Sequence, residues 1–213
     1  MIYRMCAAAL ALAISATAAS AAVTTYTDRA LWEADLKTLG ATRTDNAFGT
    51  DITASSEITF GSGVKSKNEG GDPCFACGDN SVDSGGTFKN VLGGDEFVPS
   101  PTNTWTFPSA IRGFGAVWLG AEPGSLQVTI NDGDGDPTFL IGDIIGSGTG
   151  FLGFIGMGDF SSVVFSNADA NGIAYDARNL SFATVVPLPA GLPLMAAALL
   201  ALGLIGRRAK RAT

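Results

Sequence analysis

The chain has 213 residues, with 20 acidic and 13 basic side chains, a net charge of −7 and no histidine. Such an acidic balance disfavours nucleic acid as a partner, because phosphates repel it. The missing histidine excludes Ser-His-Asp and Cys-His catalysis and histidine-built metal sites.

In chain order the first element is a leader over residues 1–21. Arg4 supplies its positive start, residues 5–14 its apolar core, and Ala19-Ser20-Ala21 a small-residue cleavage site, so the mature chain is expected to begin at Ala22. Export implies passage through a Sec-type translocon. Arg4 and the four basic residues at the far end leave 8 basic against 20 acidic side chains in the body, a net of −12.

Residues 22–184 read as one exported domain of about 165 residues, enough for a real core. A helix comes first. Thr27 can cap it, Asp28 suits its positive end and Gly40 can end it. Trp32, Leu36 and Leu39 recur on one face. Short apolar or alternating runs then predict strands at 57–60, 103–107, 113–119, 126–131, 138–144, 150–157, 161–166 and 180–185, separated by Gly, Asp, Asn, Ser and Pro. That pattern predicts a mainly β fold, an antiparallel β-sandwich or jelly roll with one short N-terminal helix. Residues 61–94, rich in glycine and polar groups, predict a long loop or an elaborated edge.

Within that stretch lies the only cysteine pair of the mature chain, Cys74 and Cys77. In an exported protein a disulfide stapling a small loop is the expected state, with redox and metal roles as alternatives. Further on, Asp132, Asp134, Asp136 and Asp143 occupy positions 1, 3, 5 and 12 of a calcium-loop pattern. Pro137 stands where that loop needs glycine, and Asp143 is shorter than the usual bidentate Glu. A hairpin turn of Gly-Asp repeats accounts for the same residues, so calcium and a plain turn both stand. Asn167-Ala168-Asp169-Ala170-Asn171-Gly172 is a second alternating cluster, closed by Arg178 at its twelfth position. Tyr26, Trp105, Trp118 and Tyr175 offer flat faces for sugar rings or, equally, core.

The chain closes on a tripartite tail, residues 185–213. Val186-Pro187-Leu188-Pro189-Ala190 is followed by an uncharged run to Gly206 and then by Arg207, Arg208, Lys210 and Arg211. Residues 188–206 make about 28 Å of helix, the hydrocarbon thickness of a bilayer, so a C-terminal transmembrane helix is expected. The basic cluster places the C-terminus on the cytoplasmic side.

Motif, span and basic end together resemble the PEP-CTERM sorting signal in its VPLPA-CTERM variant. The resemblance implies processing near Pro187–Ala190 by an exosortase, a membrane protease of Gram-negative bacteria that make exopolysaccharide. It further implies an inner-membrane intermediate, then release to the cell surface or extracellular matrix. Thr25-Tyr26-Thr27-Asp28-Arg29-Ala30-Leu31-Trp32 also resembles the strand-then-helix opening of domains carrying this tail. The expected role is structural or adhesive, within exopolysaccharide or biofilm, and non-enzymatic. The alternatives are a calcium-dependent carbohydrate-binding module and a secreted hydrolase.

Overall fold

The computed structural model describes residues 23–46, 48–69, 80–92, 102–132, 135–146, 148–168 and 173–185. The leader, the sorting motif with its span and basic end, Cys74, Cys77 and Asp134 lie outside the described residues. Among the described residues no helix is long and apolar enough to cross a membrane.

The chain is mainly β and antiparallel throughout. Its elements are β1 (Thr24–Tyr26), α1 (Arg29–Thr38), β2 (Ala41–Asn46), β3 (Ile52–Ser55), β4 (Glu57–Thr59), β5 (Lys65–Glu69), β6 (Asn80–Val82) and β7 (Phe88–Leu92). They continue with β8 (Thr102–Leu119), β9 (Leu126–Ile130), β10 (Thr138–Leu140), α2 (Ile141–Ile145), β11 (Thr149–Asn167) and β12 (Ile173–Val185).

Two long strands make the sandwich. The predicted strands at 103–107 and 113–119 are one strand, β8, and those at 150–157 and 161–166 are one strand, β11. The pair runs through both sheets and bends between them. At the bend, residues 107–110 of β8, including the exposed Pro108, oppose Ser161 alone, and residues 156–159 of β11 oppose Arg112 alone. Extra residues on alternate strands force a corner, and a proline fits there because it owes the ladder no N–H. Arg112 Nε donates to Asp159 Oδ1 at 2.8 Å across the same corner.

Before the bend the first half of β8 joins β4, β5, the second half of β11, β9 and β10 in one sheet. After it, the second half of β8 joins β1, the first half of β11, β12, β7, β6 and β3 in the other. β12 also changes partner: up to Ala177 it lies beside β7, and from Leu180 beside β2. The change occurs at Asn179, whose φ of 53° makes a bulge. Asparagine adopts that left-handed conformation more readily than most residues with a side chain.

The core between the sheets is aromatic. Trp105 and Trp118, from the two halves of β8, stack across it at 5.9 Å with planes 15° apart. Phe165 meets Trp105 edge-on at 4.8 Å, and Phe88 at 5.4 Å. Each such pair adds about 0.5–1.5 kcal/mol beyond the area it buries. The helix lies on the outer face of the second sheet, over glycines. A Cβ on Gly153 would come 2.7 Å from Trp32 Cδ1, and one on Gly115 2.8 Å from the Phe151 ring. Trp32 thereby sits flush on the strand, with its Nε1 donating to Phe154 O at 3.2 Å.

Three expectations are corrected. Asp28, not Thr27, caps the helix, its carboxylate accepting from Ala30 N–H at 2.7 Å and Leu31 N–H at 3.2 Å. Leu39 leaves the apolar face and is 45% exposed, because it is the C-cap where the chain turns toward β2. Residues 141–144 of the predicted strand 138–144 belong instead to α2, Ile141–Ile145. Moreover, residues 61–94 contain β5, β6 and β7, strands without apolar alternation because their inward positions include Ser66, Asn80 and Asn90.

Candidate functional site

At the start of α1, Asp28 fixes the first turn so that Arg29 points back over the second sheet. Opposite it, the pair Asp45 on β2 and Ser181 on β12 faces outward. Arg29 Nη2 donates to Ser181 Oγ at 2.9 Å and reaches Asp45 Oδ1 at 3.5 Å, while Ser181 Oγ donates to Asp45 Oδ1 at 2.6 Å. Arg29 Nε also donates to Glu33 Oε1 at 2.9 Å. Arg43 closes the ring, donating to Asp45 Oδ2 at 3.0 Å and pairing with Glu33. Two guanidinium groups and two carboxylates thus neutralise one another on the surface. Single exposed pairs of this kind stabilise by less than about 1 kcal/mol, but a closed ring holds its members in place. Phe151 lies beneath, its ring centroid 5.8 Å from Arg29 Cζ.

Beside this ring opens a cleft of about 240 Å³ lined by Arg29, Asp45, Asn46, Asn179, Leu180 and Ser181. Strand alternation turns the Asn46 side chain to the inner face, where it is 2% exposed and neither its amide nitrogen nor its oxygen has a partner. The groups that reach solvent are the Asp45 carboxylate, the Arg29 guanidinium and the Asn179 amide, with the Ser181 hydroxyl buried beneath them. Together they donate and accept at one small polar surface with no net charge.

A second polar cluster is internal. Ser66, Asn80, Asn90, Asn103 and Tyr175 are buried, with Asn68 beside them, between the two sheets. Asn103 Nδ2 lies 2.6 Å from Asn68 Oδ1, 2.8 Å from Asn80 Oδ1 and 2.9 Å from Ser66 Oγ. Asn90 Nδ2 donates to Asn68 Oδ1 at 2.9 Å and Asn80 Oδ1 at 3.0 Å, and Tyr175 OH donates to Asn103 Oδ1 at 2.8 Å. Burial pushes the Tyr175 hydroxyl well above the usual tyrosine range. The layer stitches β5 and β8 of one sheet to β6, β7 and β12 of the other. The amide oxygens of Asn68, Asn80 and Asn103 receive N–H and O–H donors, while Asn90 Oδ1 and Asn68 Nδ2 have no partner; with three oxygens taken, the cluster reads as fold specification rather than a cation site.

The residues predicted from sequence fall elsewhere. Asp132 and Asp136 bound the β9–β10 turn, Asp136 with a φ of 47°. Asp143 stands on α2, where its Oδ1 accepts from Gly124 N–H at 2.8 Å, tying α2 to the β8–β9 turn. Among the described residues, no group of three His, Cys, Asp or Glu gathers to hold a metal. Of the aromatic faces, Trp105, Trp118 and Tyr175 are core. Tyr26 is half-buried and donates to Asp35 Oδ2 at 2.8 Å; burial and that bond push its hydroxyl up to about 12. The cleft itself was missed. Arg29 and Ser181 are 152 residues apart, and the only local trace is the Arg29–Glu33 spacing on α1.

No protein-family model matches the chain, and no curated protein matches its sequence. Some solved structures are weakly similar. A family 29 carbohydrate-binding module is 13% identical, with a TM-score of 0.40, covering 68% of this chain and 90% of that one. CBM29_1, a family 29 module from Piromyces equi, is 14% identical with a TM-score of 0.41, covering 68% and 91%. CBM86, a low-affinity xylan-binding module from Roseburia intestinalis, is 11% identical with a TM-score of 0.36, covering 66% and 94%. What those modules bind is a property of those proteins.

Proposed function

We propose that this is an exported, non-enzymatic surface or matrix domain that binds saccharide at the cleft beside α1. The observation that carries the reading is the composition of that cleft: its charges cancel within the ring, and Asp45, Arg29 and Asn179 offer donors and acceptors over the buried Ser181 hydroxyl that positions them. Planar carboxylate, guanidinium and amide groups each match two neighbouring hydroxyls, and a neutral site does not select for an ionic ligand. A volume of about 240 Å³ is below the range that encloses drug-sized molecules, so the cleft suits one ring of a longer chain. The address rests on the leader and the tripartite tail, which support sorting by an exosortase-type enzyme and a role in exopolysaccharide.

Affinity electrophoresis through the native exopolysaccharide tests the binding. Retardation of the wild-type chain is expected, with loss in Asp45→Asn and in Asn179→Gly. Glycine keeps the φ of 53° at that position while removing the amide. A wild-type chain that runs unretarded overturns the saccharide reading. Intact-mass mapping of the C-terminus, with and without the exosortase, tests the address. Cleavage near Pro187–Ala190 only when the enzyme is present is expected, and an intact Thr213 in both strains overturns it.

A further inference from the structure

The register of the second sheet places five strands in one row: Thr24, Ile155, Gly113, Ala183 and Arg43 are successive neighbours. Along that row β1 and β12 stand three strand spacings apart, about 14 Å. β12 leaves the sheet at the end where β1 enters it, so Val23 and Val185 lie at the same end of the body. The end of α1 is there too, because Leu39 and Gly40 lead directly into Ala41, the partner of Val185. Leu39 is 45% exposed at this end, and Lys37 is exposed two residues before it.

From Val185 the sequence allows five residues, 186–190, before the apolar stretch that begins at Gly191. Fully extended, five residues span at most about 18 Å. The polar headgroup layer takes up roughly 5–7 Å of that on one side of a bilayer. Carboxylates stand at both ends of the body: Asp176, Glu122 and Asp143 at the far one, Asp35 and Asp159 at this one. The cleft stands part-way up the body, since Ser181 and Asn179 are four and six residues along β12 from Val185, about 14–20 Å.

We infer that the membrane-bound form stands on the lipid surface on the end formed by Val23, Leu39, Gly40, Ala41 and Val185, which holds the cleft beside α1 clear of that surface. The inference rests on the reading of the tail as a membrane span. Its occupant is the bilayer that holds that span. Short linkage keeps the end within reach of the headgroups, and Leu39 and Lys37 suit an interface of apolar and anionic groups.

The test places a benzoylphenylalanine photocrosslinker at Leu39 or at Asn179 in the full chain, reconstituted in vesicles of phosphatidylethanolamine and phosphatidylglycerol. Phospholipid adducts at position 39 at least about tenfold above those at 179 are expected, weakened by Lys37→Glu. A 20-residue Gly-Ser insertion after Val185 should abolish the contrast. Equal adducts at both positions, or adducts to protein alone at 39, overturn the inference while the chain resists alkaline carbonate extraction. A chain that carbonate strips from the vesicles overturns the span reading, and the inference with it.

Discussion

Two regions hold the sandwich together by opposite means. On the outer face of the second sheet, contact depends on missing atoms: Trp32 and Phe151 settle onto Gly153 and Gly115, where no Cβ keeps them away. Between the sheets, Ser66, Asn80, Asn90, Asn103 and Tyr175 hold the strands by hydrogen bonds in a place where apolar side chains are the norm. The first region tolerates no added volume and the second no lost polarity. Shape fixes where the helix lies, while donors and acceptors fix which strands face each other.

The largest effect is expected in the polar layer. Asn103→Leu strands Tyr175 OH and removes a donor from Asn68 and Asn80, so urea unfolding should show a loss of about 3–4 kcal/mol. A loss below about 1 kcal/mol would show that the layer is incidental. Next comes Gly153→Ala, at about 1–3 kcal/mol, because the new methyl meets Trp32 and Phe151 at under 3.0 Å. The sharper measurement is the double-mutant cycle: in a Trp32→Ala background most of the penalty at Gly153 should disappear. Additive effects would mean that the glycine serves the strand and not the indole.

Asp28→Ala removes both accepted N–H bonds at the helix start and should cost about 1 kcal/mol. The smallest effect concerns pH. Burial raises the Asp176 carboxyl above the usual range, so the folded state holds its proton more tightly than the unfolded chain does. The charged form therefore weighs against folding at neutral pH, and the penalty fades as pH falls through the raised value. Asp176→Asn should raise Tm slightly at pH 7 and leave it unchanged near pH 3. An equal shift at both values would assign the effect to packing instead.

Sequence patterns revealed the parts of the fold that obey the apolar rule. Trp105, Phe107, Phe114, Trp118, Phe154 and Phe165 alternate or cluster plainly, and both long strands were visible as halves. β2 was not visible, because Ala41–Asn46 turns charged and polar groups outward and meets the rest of the body through its ladder with β12 and its ion pairs to α1. β5, β6 and β7 were hidden by the asparagine layer, whose inward residues look like loop. The helix was legible by period, but its cap was off by one residue because Thr27 and Asp28 both carry capping oxygens. The cleft was illegible for a different reason: Arg29, Asp45 and Ser181 meet only after the sheet has closed.

The change of partner along β12 has a mechanical consequence. Near its end, Ser181 and Ala183 are bonded at once to β8 on one side and to β2 on the other. A pull entering at Val185 and resisted at Asn179 runs lengthwise down the strand, at right angles to those bonds. They then bear the load together and must fail together, instead of parting one by one as at a peeled edge. A domain strained between a tether at one end and a ligand at the other would be gripped along the line on which it yields least.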